Sequence, residues 1–145
     1  MPREALLPPV IGYAMRRYRA LIPALLFFFS LAGQAQLDEQ SVSGNGVMVT
    51  VAPGNLPASA QVWEFNVALN THSQDLTDDL LNAAVLSDGK GREFKPLAWD
   101  GSGPGGHHRR GVLKFKAMAP RPQAIELRIL RPGDASPRIF RWRLE

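Results

Sequence analysis

The chain has 145 residues, 17 Lys+Arg against 13 Asp+Glu, three histidines and no cysteine. The lack of cysteine excludes disulfides, a lipidated N-terminal cysteine, thiolate metal sites and cysteine nucleophiles together. Most of the basicity belongs to the N-terminal segment. Residues 37–145 carry 13 Lys+Arg against 12 Asp+Glu, a net of +1, which offers no basic face for nucleic acid.

Residues 1–36 have the order of a secretory signal peptide. Arg16, Arg17 and Arg19 form a basic start, residues 20–33 an apolar run containing Leu25-Leu26-Phe27-Phe28-Phe29, and Ala32-Gly33-Gln34-Ala35-Gln36 a small-residue end. That run falls short of the ~20 residues a spanning helix needs. An uncleaved anchor is the alternative, and would be the chain's one link to a membrane; Pro23 and the small-residue end favour cleavage. Met15, just before the arginines, is an alternative start. Cleavage leaves residues 37–145 as one exported domain, periplasmic or secreted, that relies on its hydrophobic core.

That domain reads as an all-β, immunoglobulin-like antiparallel sandwich of about seven strands. Val47, Val49 and Val51 alternate with Met48, Thr50 and Ala52, and Trp63, Phe65, Val67 and Leu69 with Glu64, Asn66 and Ala68. Residues 83–88 form a short buried run, followed by the turn Asp88-Gly89-Lys90-Gly91 and residues 93–97. Leu113, Phe115 and Ala117, then Ile125, Leu127 and Ile129, then Phe140, Trp142 and Leu144 repeat the alternation. Gly- and Pro-rich segments separate these runs at the spacing of a sandwich. One segment differs: Leu76 and Leu80 lie four apart, as do Asp75 and Asp79. This predicts a short helical turn over 73–81, capped by Ser73 or Thr77 and crossing between the sheets. The arginines at 128, 131, 138, 141 and 143 read as solvated strand positions, or as a surface for an anionic partner.

All three histidines lie in two segments, Thr71-His72-Ser73-Gln74-Asp75-Leu76 and Pro104-Gly105-Gly106-His107-His108-Arg109-Arg110. Both read as loops flanking strands, able to face each other. His72, His107 and His108, with Asp75 as a ligand or as the carboxylate orienting an imidazole, could hold Zn or Cu. Met48 or Met118 nearby would suit Cu(I). The competing reading has His107 bonding the Asp75 carboxylate to staple the glycine loop, with His108, Arg109 and Arg110 in solvent. Trp99 reads as a core or edge plug. Asp75, Asp78, Asp79 and Asp100 lack any calcium-loop spacing. Ser73 beside His72 makes no triad, and residues 101–106 lack the ending of a phosphate loop. No enzyme is expected.

Trp63-x-Phe65, Thr71-His72-Ser73-x-Asp75-Leu76, Pro96-Leu97-x-Trp99-x-Gly101 and Pro104-Gly105-Gly106-His107-His108-Arg109-x-Gly111-Val112-Leu113-x-Phe115 resemble an uncharacterised family of small secreted or membrane-anchored bacterial and archaeal domains. The resemblance covers most of residues 46–144 and implies a β-sandwich outside the cytoplasm, with no activity attached. The domain is also similar in outline to periplasmic copper-resistance sandwiches. Those carry a histidine at or near the mature N-terminus, where this chain has Leu37-Asp38-Glu39. The sequence therefore leaves two expectations: an exported, non-enzymatic binding module for a transition metal, or an adaptor domain contacting an envelope protein through a sheet edge or the Trp99 loop.

Overall fold

The computed structural model describes residues 36–145 together with Leu7, Pro9 and Gly12; the signal peptide assigned to 1–36 otherwise lies outside the described residues. Among the described residues no helix is long and apolar enough to cross a membrane. The domain is the expected antiparallel sandwich, with nine strands there instead of about seven. In chain order these are β1 (Gln40–Gly44), β2 (Val47–Pro53), β3 (Val62–Thr71), the helical turn α1 (Leu80–Ala83), β4 (Ala84–Ser87), β5 (Glu93–Phe94), β6 (Ala98–Gly101), β7 (His108–Lys116), β8 (Ala124–Ile129) and β9 (Arg138–Arg143). One sheet has the order β1-β2-β3-β7-β6 and the other β5-β4-β8-β9.

The period-2 runs became strands because one face of each is apolar. Val47, Val49 and Val51 of β2, Trp63, Phe65, Val67 and Leu69 of β3 and Leu113 and Phe115 of β7 all point inward. They meet Leu86, Ile125, Leu127, Ile129, Phe140 and Trp142 of the second sheet in one core. Phe65 stands edge-on to Phe115 with centroids 5.6 Å apart and 5.9 Å from Trp142. The indole N–H of Trp142 donates to Asp38 O at 2.7 Å, fastening the start of the domain to β9.

The two unexpected strands have local causes. Asn45 and Gly46 take φ of 46° and 73°, the two left-handed positions of a tight hairpin turn. Gly44 therefore pairs with Val47, and β1 zips along β2 as far as Gln40 and Val51. β6 forms because Gly101 lies opposite Gly111 of β7. A Cβ at Gly101 would stand 2.5 Å from Arg110 O and from Gly111 Cα.

The helical turn is displaced. It begins at Leu80, and Asp79 caps it by accepting from Asn82 N–H. Leu76 and Leu80 are both buried, so their four-residue spacing reflects burial and not a helix beginning at Ser73. Leu76 N–H donates to Gly106 O and Leu76 O accepts from Gly105 N–H. The carbonyl that a helix would offer to Leu80 is thus already bonded. As expected, the segment carries the chain from one sheet to the other.

The C-terminal arginines divide by face. Arg128, Arg141 and Arg143 point outward, but Arg131 and Arg138 are only 4% and 5% exposed, against the expectation of solvated positions. Arg138 donates to Val42 O, Gly44 O and Val47 O at 3.1, 2.7 and 2.6 Å and pairs with Asp134 at 2.8 Å. One guanidinium thus locks the β1–β2 hairpin onto the opposite sheet. Asn45 Nδ2 adds a bond to Asp134 Oδ1 at 2.9 Å.

This anchoring has a pH signature. The Arg138 hydrogen bond holds the Asp134 carboxyl below its ordinary value of 3.8. The Arg92 hydrogen bond holds Asp88 at about 2. A carboxyl depressed in the folded state contributes stability above its unfolded pKa and loses it as pH falls through the folded one. The urea midpoint is therefore expected to stay level above pH 4 and fall between about 4 and 2. Asp134→Asn and Asp88→Asn should each lower the plateau and flatten that fall.

Candidate functional site

The two histidine-bearing segments do face each other. Thr71 N–H donates to His107 O at 3.0 Å, Leu76 N–H to Gly106 O at 3.0 Å and Gly105 N–H to Leu76 O at 2.8 Å. Gly105 and Gly106 supply the bend with φ of 111° and 72°, a backbone that other residues rarely adopt. The side chains are a different matter. His72, Asp75, His107 and His108 are all exposed. Among the described residues no group of three or more His, Cys, Asp or Glu side chains could hold a metal ion.

His108 opens β7 opposite Asn70, and its Nδ1 lies 2.9 Å from Asn70 Oδ1. The amide oxygen only accepts, so in this bond Nδ1–H is the donor. No hydrogen bond joins His107 to Asp75 among the described residues. The expected imidazole staple is replaced by another.

The staple is Arg109, expected in solvent and found 2% exposed. Its Nη1 donates to Asp78 O at 2.7 Å and Leu76 O at 3.3 Å, and its Nη2 to Ser102 O at 3.2 Å. The guanidinium carbon lies 5.9 Å from the centroid of the Trp99 ring, within cation–π range. Trp99 Nε1–H also donates to Ser102 O, at 2.9 Å. One arginine therefore holds the 72–79 crossing and the glycine loop together at one end of the sandwich.

A second buried arginine acts on the same residue. Arg131 Nε approaches Asp78 Oδ1 at 2.7 Å and its Nη2 donates to Oδ2 at 3.1 Å. The shorter approach is too bent to count as a hydrogen bond, so Asp78 Oδ1 and Arg131 Nε rely on charge alone. Asp78 is thus gripped by its carbonyl from one sheet and by its carboxylate from the other. These residues do structural work and offer no open face to a substrate.

Trp99 is the expected plug. It is half-buried, and its ring lies over the Gly101–Gly111 pair: a Cβ at Gly111 would come within 2.7 Å of the ring and 2.6 Å of Gly101 Cα and Asp100 O. Gly111→Ala is expected to cost about 1–3 kcal/mol through overpacking, read as a lower urea midpoint with an unchanged m-value.

The larger recess lies on the outer face of the five-stranded sheet. A shallow trough of about 630 Å³ runs across it, lined largely by uncharged residues, Met48, Thr50, Ala52, Asn66, Ala68, Asn70 and Val112 among them, together with Glu39, Asp100 and Arg110, which lies directly opposite Ala68. Beside it Lys114 lies between Glu64 and Asp100, at 3.7 and 3.5 Å. The four-stranded sheet carries charge instead: Arg128 pairs with Glu93 and Glu126, and Arg141 with Glu126 at 2.7 Å, beside a smaller recess of about 370 Å³ lined by Asp88, Ala124, Glu126, Arg141 and Arg143. The trough has no chemistry-bearing motif that a sequence displays. Its only signal was the small, uncharged outward residues of β2 and β3.

No family model, curated protein or solved structure matches this chain.

Proposed function

We propose that the domain is an exported, non-enzymatic binding module that acts as an adaptor in the cell envelope, engaging a protein partner on the outer side of the five-stranded sheet. The observation that carries this reading is the contrast between the two outer faces: one carries a broad trough lined largely by uncharged residues, the other a lattice of ion pairs beside a smaller, charge-lined recess. Uncharged surface is what the core of a protein interface consists of, with charge at its rim. The buried arginines have a supporting role, holding the sandwich rigid without disulfides. Glutamate at Ala68, opposite Arg110, and lysine at Val112, opposite Asp100, should together leave stability almost unchanged, and abolish co-purification of the partner from membranes. A partner that survives this variant but is lost with Arg141→Ala contradicts the reading.

A second reading keeps the histidines as ligands for Zn or Cu. Its support is the hydrogen-bonded juxtaposition of the His72 and His107 segments. Metal binding stabilises in proportion to the logarithm of metal excess, about 2.7 kcal/mol at a hundredfold over Kd. A melting shift with one metal that is abolished by both His72→Ala and His108→Ala carries this reading. An unchanged melt with Zn(II), Cu(II) and Cu(I) removes it.

A further inference from the structure

An exposed strand edge is a ready template for another chain, and this sandwich treats its four edges unequally. β1 lies against β9, and Arg138 of β9 ties the two together by donating to the carbonyls of Val42 and Gly44. On β9, the Gln40 side chain bonds both the N–H and the C=O of Arg141. β5 has only two residues and follows a turn closed by Asp88 and Arg92. The fourth edge, β6, has no such cover among the described residues.

The hydrogen-bond parity fixes which groups β6 presents. Ser102 N–H donates to Arg110 O, and the register continues as Asp100 with Val112 and Ala98 with Lys114. Alternate residues of an antiparallel strand bond to opposite sides. The N–H and C=O groups of Trp99 and Gly101 therefore face away from β7. Beside them is an apolar shoulder. Leu97, the residue before β6, is 60% exposed, and Leu81 of the neighbouring α1 is 42% exposed. Lys95 Nζ donates to Asn82 O at 2.7 Å and holds the two segments side by side.

We infer that β6 is the docking edge for an extended peptide from another protein, added as a sixth strand to the five-stranded sheet, with an apolar side chain against Leu97 and a cationic one opposite Asp100. The inference rests on the adaptor reading and names its contact. A second copy of this chain is a poor occupant. The antiparallel register that uses all four outward groups pairs Trp99 with Gly101 of the other copy, which sets Asp100 against Asp100, and like charges directly opposite are destabilising. Lys114 does not relieve this, because it is shared with Glu64.

The test uses the protein isolated from cells expressing the full sequence, with a short capped peptide alternating valine and lysine as the probe. Amide shifts and hydrogen exchange are followed by NMR. Slowed exchange at Trp99 and Gly101 is expected, lost when the peptide nitrogens facing β6 are methylated. A valine–glutamate peptide should bind about fivefold more weakly, and Asp100→Lys should reverse that order. Shifts confined to the trough around Ala68 overturn the edge proposal while leaving the adaptor reading standing. Absence of any shift also overturns the edge proposal. Protection of Trp99 and Gly101 that grows with protein concentration alone overturns it in favour of a second copy. Partner co-purification that survives both the β6 and the trough variants is failure of the adaptor reading; survival in the β6 variants with loss in the trough variants is failure of this contact alone.

Discussion

Replacing Arg109 with methionine is expected to destabilise the domain by about 3 kcal/mol. The aliphatic stem can be mimicked, so the loss is that of the charged donors. Asp78 O loses its arginine partner outright, whereas Leu76 O keeps Gly105 N–H and Ser102 O keeps the Trp99 indole. A bond to a charged group is worth about 1.5–3 kcal/mol, and a buried carbonyl left unpaired costs 1–3 kcal/mol. Against a typical total of 5–15 kcal/mol this is a severe change. Urea denaturation reads the total. Hydrogen exchange should place it, with Leu76, Gly105 and Gly106 amides opening first. Uniform loss across the core strands, with those three amides no faster than the rest, would mean that Arg109 does not act as the staple.

Asp78→Ala is expected to be the most damaging single substitution, at about 3–5 kcal/mol, because it strands the Arg131 charge in the interior. Arg131→Met alone strands the carboxylate in the same way. The double variant Asp78→Leu with Arg131→Met removes both charges and should recover most of the loss, since an apolar replacement of a buried pair is often neutral. A double-mutant cycle therefore has a large coupling energy as its expected result. Additive losses would show that the pair contributes through packing and not through charge. Asp78 O stays bonded to Arg109 throughout, so the double variant also tests whether the two arginines act independently.

All three buried arginines were legible in the alternation that revealed the strands. Arg109 continues the inward series of Gly111, Leu113 and Phe115; Arg131 continues Ile125, Leu127 and Ile129; Arg138 precedes Phe140, Trp142 and Leu144. Each stands one step beyond the apolar series, where the inward face meets backbone carbonyls at the end of the sandwich. The alternation was expected to set these arginines on the solvated side; counted residue by residue, it puts 109, 131 and 138 on the inward side. The Asn45-Gly46 hairpin was equally visible, as the strongest short signal for a two-residue turn.

Other features were not legible. The Gly101–Gly111 contact depends on the pairing of β6 with β7, and no local pattern specifies that register. The facing of the two histidine segments was expected and is seen, yet proximity of loops does not set side-chain direction. His108 turned to Asn70 because the two are cross-strand partners, a relation set by the same register.

The most direct test of the adaptor role is photo-crosslinking in cells, with a photoreactive residue placed in turn at Ala68 in the trough, at Asp100 on the β6 edge and at Arg141 on the opposite sheet. A single discrete adduct from both Ala68 and Asp100, and none from Arg141, is the expected result. An adduct from Arg141 alone, or none from either of the first two positions, would contradict a partner on the outer side of the five-stranded sheet.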